Sequence, residues 1–188
     1  MKKFSLAIVT LLLIMGCATP WVEVGGLYKD YTHNFSVELP TGWLKSSISQ
    51  NYLFITKDGA NLQLINIEII RTDQPLKYTK KRFNKGMLPQ EVAEVILDLN
   101  STGVNPNISN FEIVENKPVN ISGYQGFYMI WISKDNNTGL KYKRVLYGFM
   151  SGEQVYLIRY KAPARYYFDR DVKTFEKVIE SFKLVKIQ

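Results

Sequence analysis

The alternation of apolar and polar positions divides this chain into a short apolar run at its start, a series of strands, and two helices. Residues 4–15 are uncharged and mostly apolar, a run shorter than the roughly 20 residues that a permanent membrane helix needs. Further on, Phe35-Ser36-Val37-Glu38-Leu39 has the period of two that marks a half-buried strand. Pro40 and Gly42 are expected to end it, and Trp43 reads as a core anchor. Residues 52–56 and 62–70 flank Asp58-Gly59, a pair suited to the positive φ angles of a tight hairpin turn. The apolar phase shifts at Leu64-Ile65, which predicts a bulge or a strand covered on both faces. Strands are also expected over 111–115, 125–133, 141–150 and 154–160. Turns at 135–139 and 151–153 join the last three into an antiparallel meander.

The helices follow the other period. Pro89 stands where a first helical residue needs no N–H, and Val92, Val95, Ile96 and Leu99 form a stripe that stops near Gly103. Phe168, Val172, Phe175, Ile179 and Phe182 are spaced four, three, four, three. That is an amphipathic helix with its aromatic side on a sheet, and the stripe reads as core rather than as a ligand site. Leu184, Val185 and Ile187 suit a short closing edge strand, and residues 78–85 a further helical turn limited by Gly86. Residues 17–29 contain Pro20, Gly25 and Gly26 without a sustained period and read as a tether. Within it, Trp21 and Val22 either touch a membrane interface or pack on the domain. No repeat or low-complexity segment interrupts residues 30–188, which are expected to fold as one α+β domain, an antiparallel sheet with helices packed on it.

The apolar start gains meaning from what surrounds it. Lys2 and Lys3 precede it, and Ile14-Met15-Gly16-Cys17 closes it. This is the order of a secretory signal that ends in a lipobox, with an aliphatic residue three before the cysteine and a small one directly before it. Residues 1–16 therefore read as a signal peptide cleaved between Gly16 and Cys17, leaving Cys17 as the lipidated N-terminus. Cys17 is the chain's one cysteine. It has no internal disulfide partner, and an exported free thiol is open to oxidation, so lipidation explains both its presence and its isolation. An uncleaved anchor with an incidental cysteine is the alternative. One acyl chain binds a membrane only marginally, whereas several, palmitate among them, anchor stably. Ala18 is not the aspartate associated with inner-membrane retention. In a diderm cell the expected place is the outer membrane, facing the periplasm.

Three phrases resemble the PsbP-like family: YTHNFSVELPTGW over 31–43, Asn120-Ile121-Ser122-Gly123-Tyr124-Gln125-Gly126, and a tyrosine-rich strand over 155–160 followed by Ala162 and a helix ending Ser181-Phe182-Lys183. The similarity spans about residues 27–184. It implies an α/β/α sandwich around an antiparallel sheet. It implies no single function, since that fold serves an extrinsic photosystem II subunit, a Ran-binding import factor and bacterial lipoproteins. Binding and assembly are its common roles, and there are no family catalytic residues to carry over.

Charge and chemistry narrow the field further. The 24 basic and 17 acidic residues give +7, and loss of Lys2 and Lys3 with the signal lowers this to +5. The basic residues are dispersed. Outside the cytoplasm they suit anionic lipid or an envelope polyanion, or simply a solvated surface, rather than nucleic acid. His33 is the one histidine, which excludes histidine-built and Cys/His zinc sites. Asp135-Asn136-Asn137-Thr138 lacks the spacing of a calcium loop, and no phosphate loop, nucleophile elbow or His-Glu-x-x-His helix occurs. No metal or cofactor is expected. Glu91 with Glu94, and Glu112 with Glu115, have the spacings of exposed faces, although a hydrolase with two sequence-distant acids stays open. Five Asn-x-Ser/Thr sequons read as accidents of an asparagine-rich composition.

Tyr142, Tyr147, Tyr156, Tyr160 and Tyr166 are interleaved with Arg144 and other basic residues. They form either a binding surface or the half-buried tyrosines usual in strands. If they bind, the exposed members are the candidates. The expected function is a cell-envelope lipoprotein acting as a non-catalytic accessory module for an envelope protein complex. A small-ligand or glycan-binding lipoprotein is the alternative.

Overall fold

The computed structural model describes residues 20–48, 52–101 and 103–185. Gly16, Cys17, the rest of the signal segment and Ile187 lie outside the described residues. In chain order the elements are β1 (Trp21–Asp30), β2 (Phe35–Ser46), β3 (Tyr52–Thr56), β4 (Leu64–Arg71), α1 (Pro89–Asn100), β5 (Ile108–Ile121), β6 (Tyr124–Asp135), β7 (Lys141–Ser151), β8 (Gln154–Pro163), α2 (Tyr167–Ser181) and β9 (Lys183–Leu184). One antiparallel sheet runs β1-β2-β3-β4-β8-β7-β6-β5, and β9 also pairs with β2. The expected hairpins and meander are present. The β4–β8 pairing joins the two halves of the sheet in unbroken register from Leu64↔Lys161 to Arg71↔Gln154.

Both faces are covered, which makes a sandwich. On one face α2 lies against β2 and β8. There Phe35 stacks on Phe182 at 5.6 Å, and the cross-strand pair Phe149 and Tyr156 stacks almost parallel at 5.0 Å. On the other face α1 packs against β5, β6 and β7, burying Val92, Val95 and Ile96 on Phe127, Met129 and Leu146. β4 has no bulge; Ile65 and Ile67 join the first core, and its Ile70 end is also covered on the other face by the second.

Four expectations need correction. The strand at Phe35 continues through Pro40 to Ser46. Opposite it, β1 shifts register between Val24 and Gly26, so Pro40 and its neighbours bulge where a missing N–H costs no ladder bond. Gly25 is small because Thr41 approaches, its Oγ1 lying 3.1 Å from where a Cβ would be. The tether is also shorter than 17–29. Trp21–Asp30 forms edge strand β1, held by backbone pairing to β2, with Val24 and Tyr28 reaching the core. Residues 78–85 make no helical turn. Phe83, 1% exposed, instead fastens this loop onto the α1 face. Finally, the buried stripe of α2 includes Asp171. Its carboxylate accepts a hydrogen bond from Gln63 Nε2 at 3.1 Å and one from Arg170 Nε at 2.8 Å, tying the helix to the end of the β3–β4 turn.

Candidate functional site: a cationic cavity on the sheet

Helix α1 has 12 residues, about 18 Å of length; it packs mainly on β5, β6 and β7, and its apolar cluster extends to Val155 and Leu157 of β8 and Ile70 of β4. On the same face, β3, the 64–68 end of β4 and the 159–161 end of β8 lie beyond that cluster. A cavity of about 340 Å³ opens there, bounded by Asn100 at the end of α1. Its size is at the lower end of the range for ligand pockets, roughly 300–1,000 Å³.

Sheet register assembles the wall. Trp131 pairs with Arg144, Arg144 with Lys161, and Lys161 with Leu64, giving one cross-strand row over β6, β7, β8 and β4. One row along, Arg159 stands opposite Asn66, and Asn66 opposite Phe54. All of these side chains share the α1 face, because alternate residues of a strand point the same way.

The electrostatics are uneven. Three cations line the cavity against one carboxylate, Glu68, and Arg159 occupies that carboxylate at 2.7 Å. Arg144 and Lys161 have no carboxylate partner among the described residues. They are directly opposite each other, an arrangement that costs stability when the charges are alike. Arg144 donates to Ser133 Oγ at 2.6 Å. Below the two cations lies the ring of Tyr142, with Lys161 Nζ 4.2 Å and Arg144 Cζ 5.4 Å from its centroid. Burial pushes the Arg144 guanidinium down to about 10, still charged at neutral pH. Burial, and then the Arg144 charge, lower Lys161 as well. Trp131 is 2% exposed, and its indole N–H has no acceptor.

The tyrosine-rich set does not converge. Tyr142, Tyr156 and Tyr160 are no more than 2% exposed, so they form no binding surface. Tyr142 supports the two cations and donates to Asn61 O at 2.9 Å. Tyr156 and Tyr160 belong to the α2-side core. Tyr156 donates toward Gln154 Oε1 at 2.8 Å and Tyr160 to Tyr167 O at 2.9 Å. Tyr147 is half-buried against Tyr128 and Phe175. Tyr166, 66% exposed, stands apart before α2. Of the six expected surface residues, Arg144 and Tyr160 line the cavity, Tyr160 with its ring in the α2-side core. Arg159 is one of the basic residues interleaved with the tyrosines, Lys161 and Trp131 were not expected, and strand parity is the signal that sends the side chains of 159 and 161 to the opposite face from those of 156 and 160.

The remaining candidate chemistry is structural. His33 Nδ1 meets Asp30 Oδ2 at 2.9 Å within a turn. Asp135 Oδ1 accepts from the Asn137 and Thr138 N–H groups. Among the described residues no cluster of three or more His, Cys, Asp or Glu could hold a metal. Glu68 is the one acid of the cavity wall, so the wall holds no carboxylate pair. Among these residues, no helix is long and apolar enough to cross a membrane.

The class this architecture defines is the PsbP-like sandwich, an α+β fold with helices on both faces of an antiparallel sheet. Solved structures of that class superpose on it. Cyanobacterial PsbP (CyanoP) from Synechocystis sp. PCC 6803 matches 92% of this chain and 99% of its own, with a TM-score of 0.58 and 12% identity. The Ran-binding protein Mog1p of Saccharomyces cerevisiae matches 88% of this chain and 97% of its own, at 0.52 and 11%. A protein of Bacteroides thetaiotaomicron VPI-5482 matches 86% of this chain at 0.53 and 16%, and this chain spans 49% of its length. No family model and no curated protein sequence matches the chain. At such identities the likeness establishes the fold, and function has to be argued from the site.

Proposed function

We propose that this protein is a lipid-anchored component of the bacterial cell envelope that works by binding rather than by turnover, with the cavity over β8 and β4 as its binding site. The observation that carries this reading is the Arg144–Lys161 pair, half-buried in a concave wall, which among the described residues has no carboxylate in contact and feels Asp135 only at a distance. A solvated sheet face would leave such charges in water, and a purely structural site would pair them, as Arg159 and Glu68 are paired. The lipobox over 14–17 supplies the address, with Cys17 as the acylated residue and the outer membrane, periplasmic side, as its place in a diderm cell.

Two measurements test this. Metabolic labelling with an alkyne palmitate should mark the wild-type protein and not Cys17→Ser; equal labelling of both removes the anchor. Native mass spectrometry of protein released from membranes in mild detergent should show a bound small molecule that Leu64→Trp, which fills the cavity, abolishes. The bare mass in both proteins removes the cavity as the site.

A second reading, the accessory subunit of an envelope protein complex, is supported by the open edges of the sheet at β1 and β5. Strand β1 lies next to the anchor in sequence and exposes Val22 and Leu27, and an open edge can accept a partner strand. In-cell crosslinking should then recover one envelope protein in near-equal amount, linked through β1 or β5. Recovery of abundant neighbours alone counts against it.

A further inference from the structure

The charge pattern of the wall also specifies a ligand class, given the reading above that the cavity binds. We propose that the cavity takes a small organic oxyanion, a carboxylate or phosphate on an apolar body, with the head between Arg144 and Lys161 and the body against Leu64, Phe54 and Trp131.

Both cations keep unused donors. A guanidinium has five N–H donors and an ammonium three. Ser133 Oγ accepts from Arg144, and the Tyr142 ring lies beneath both cations. Neither contact supplies negative charge. The Trp131 N–H, in the same cross-strand row, has no acceptor. Arg159 shows what compensation looks like on this wall, because Glu68 sits 2.7 Å away. Among the described residues no acid contacts the neighbouring pair; Asp135 acts on both cations through space without an ion pair, and its Oδ1 is engaged by the Asn137 and Thr138 N–H groups. An oxyanion between Arg144 and Lys161 would supply acceptors to both and cancel their repulsion, and charge-assisted bonds in a half-buried site are the strong ones. The other members of the row are apolar or aromatic, so a bare inorganic ion would leave most of the cavity unfilled. An apolar body fills it.

The test is titration calorimetry on lipidated protein in a neutral detergent, with phenyl phosphate, benzoate and the uncharged isostere benzamide as probes. Phenyl phosphate or benzoate should bind, and benzamide should give no saturable heat. Whichever of the two binds more tightly identifies the preferred head. Arg144→Met and Lys161→Met should each weaken binding by about tenfold or more, the worth of one charge-assisted hydrogen bond. Their melting temperatures check that both variants are folded. Binding should persist at an ionic strength on the order of 0.5 M, where contacts among exposed charges are largely screened.

If benzamide binds as tightly as benzoate and both methionine variants bind normally, the cavity is an apolar site. The anion inference then falls while the binding reading stands. If the anions bind and Arg144→Met and Lys161→Met leave that binding unchanged, the anion inference falls as well. If no probe binds and native spectra show no bound molecule, both fall together.

Discussion

Removing the carboxylate of Asp171 should loosen the attachment of α2 to the sheet by an amount the contacts allow us to bound. Asp171 is 3% exposed and Gln63 is fully buried. Asp171→Ala deletes the acceptor for Gln63 Nε2 at 3.1 Å and for Arg170 Nε at 2.8 Å. A hydrogen bond to a charged group contributes about 1.5–3 kcal/mol. The Arg170 share is smaller, because that side chain is partly solvated and keeps Asp58 as a partner; exposed pairs contribute about 0–1 kcal/mol. Lys57, 3.7 Å away and 44% exposed, adds little. Gln63 is not orphaned, since its Nε2 also donates to Asp58 Oδ2 at 2.9 Å. The expected loss is about 2–4 kcal/mol. In a chain of this size each kcal/mol moves the melting temperature by about 2–4 °C, so a fall of about 4–16 °C is expected by far-UV circular dichroism. Asp171→Asn, which keeps an acceptor for Gln63, should fall by about half as much. Amide exchange should quicken at Asp58 and Gly59, whose N–H groups bond Gln63 Oε1 and Thr56 Oγ1 in the same turn. A melting temperature for Asp171→Ala within about 1 °C of wild type, with exchange at that turn unchanged, would refute the reasoning.

Two further outcomes are expected. A Cβ on Gly148 would stand 2.3 Å from Phe127 Cζ, a ring 2% exposed, so Gly148→Ala should lower the urea midpoint by the equivalent of about 1–3 kcal/mol; replacing Phe127 by Leu in the same chain should recover part of it, and an unchanged single variant would show that the ring moves freely. The second outcome concerns alkaline pH. Burial pushes the Tyr128 phenol up to about 12 and raises Tyr28, Tyr147, Tyr156 and Tyr160 in the same direction. The folded chain then holds protons that the unfolded chain releases near pH 10, so this stabilisation is complete below about pH 10 and is lost above it. Lowered Lys161, Arg144 and Tyr78 act in the opposite sense, three groups against five. The urea midpoint should fall as pH rises above 10, and less steeply in Tyr128→Phe; a rising midpoint there overturns the assignment.

What could be read from the sequence and what could not divide along the same physical line. Elements with strong local patterning were legible: the alternation at Phe35, the Asp58-Gly59 hairpin, the meander over β6, β7 and β8, and both amphipathic helices. Strand β1 was not, because an edge strand buries few side chains. Val24 and Tyr28 point inward while Gly25 and Gly26 imitate a linker. Nor was the passage of β2 through Pro40, where pairing to β1 on either side of a bulge overrode local turn chemistry. The six residues named as a possible surface divide for a different reason. They were grouped by nearness in sequence, whereas a strand sends its neighbours to opposite faces. In β8, Tyr156 and Tyr160 enter the α2 core while Arg159 and Lys161 line the cavity. Trp131 joins them only through a register that spans four strands.

The position of the cavity follows from the lengths of the elements. An eight-strand path at about 4.8 Å per strand is over 30 Å wide, and α1, at about 18 Å, lies over the β5–β7 end. Had the remaining face been plain solvated sheet, its cations would stand in water and need no partners. Instead Trp131, Phe54 and the end of α1 rise around them, so that Arg144 and Lys161 are drawn out of water with their charges side by side. Evolution of the fold alone would favour an apolar residue or an acid at either position, since both would relieve the repulsion. Two cations side by side without a contacting carboxylate are a cost to stability that the proposed anion would offset, and this ties the proposed function to this one row of the sheet.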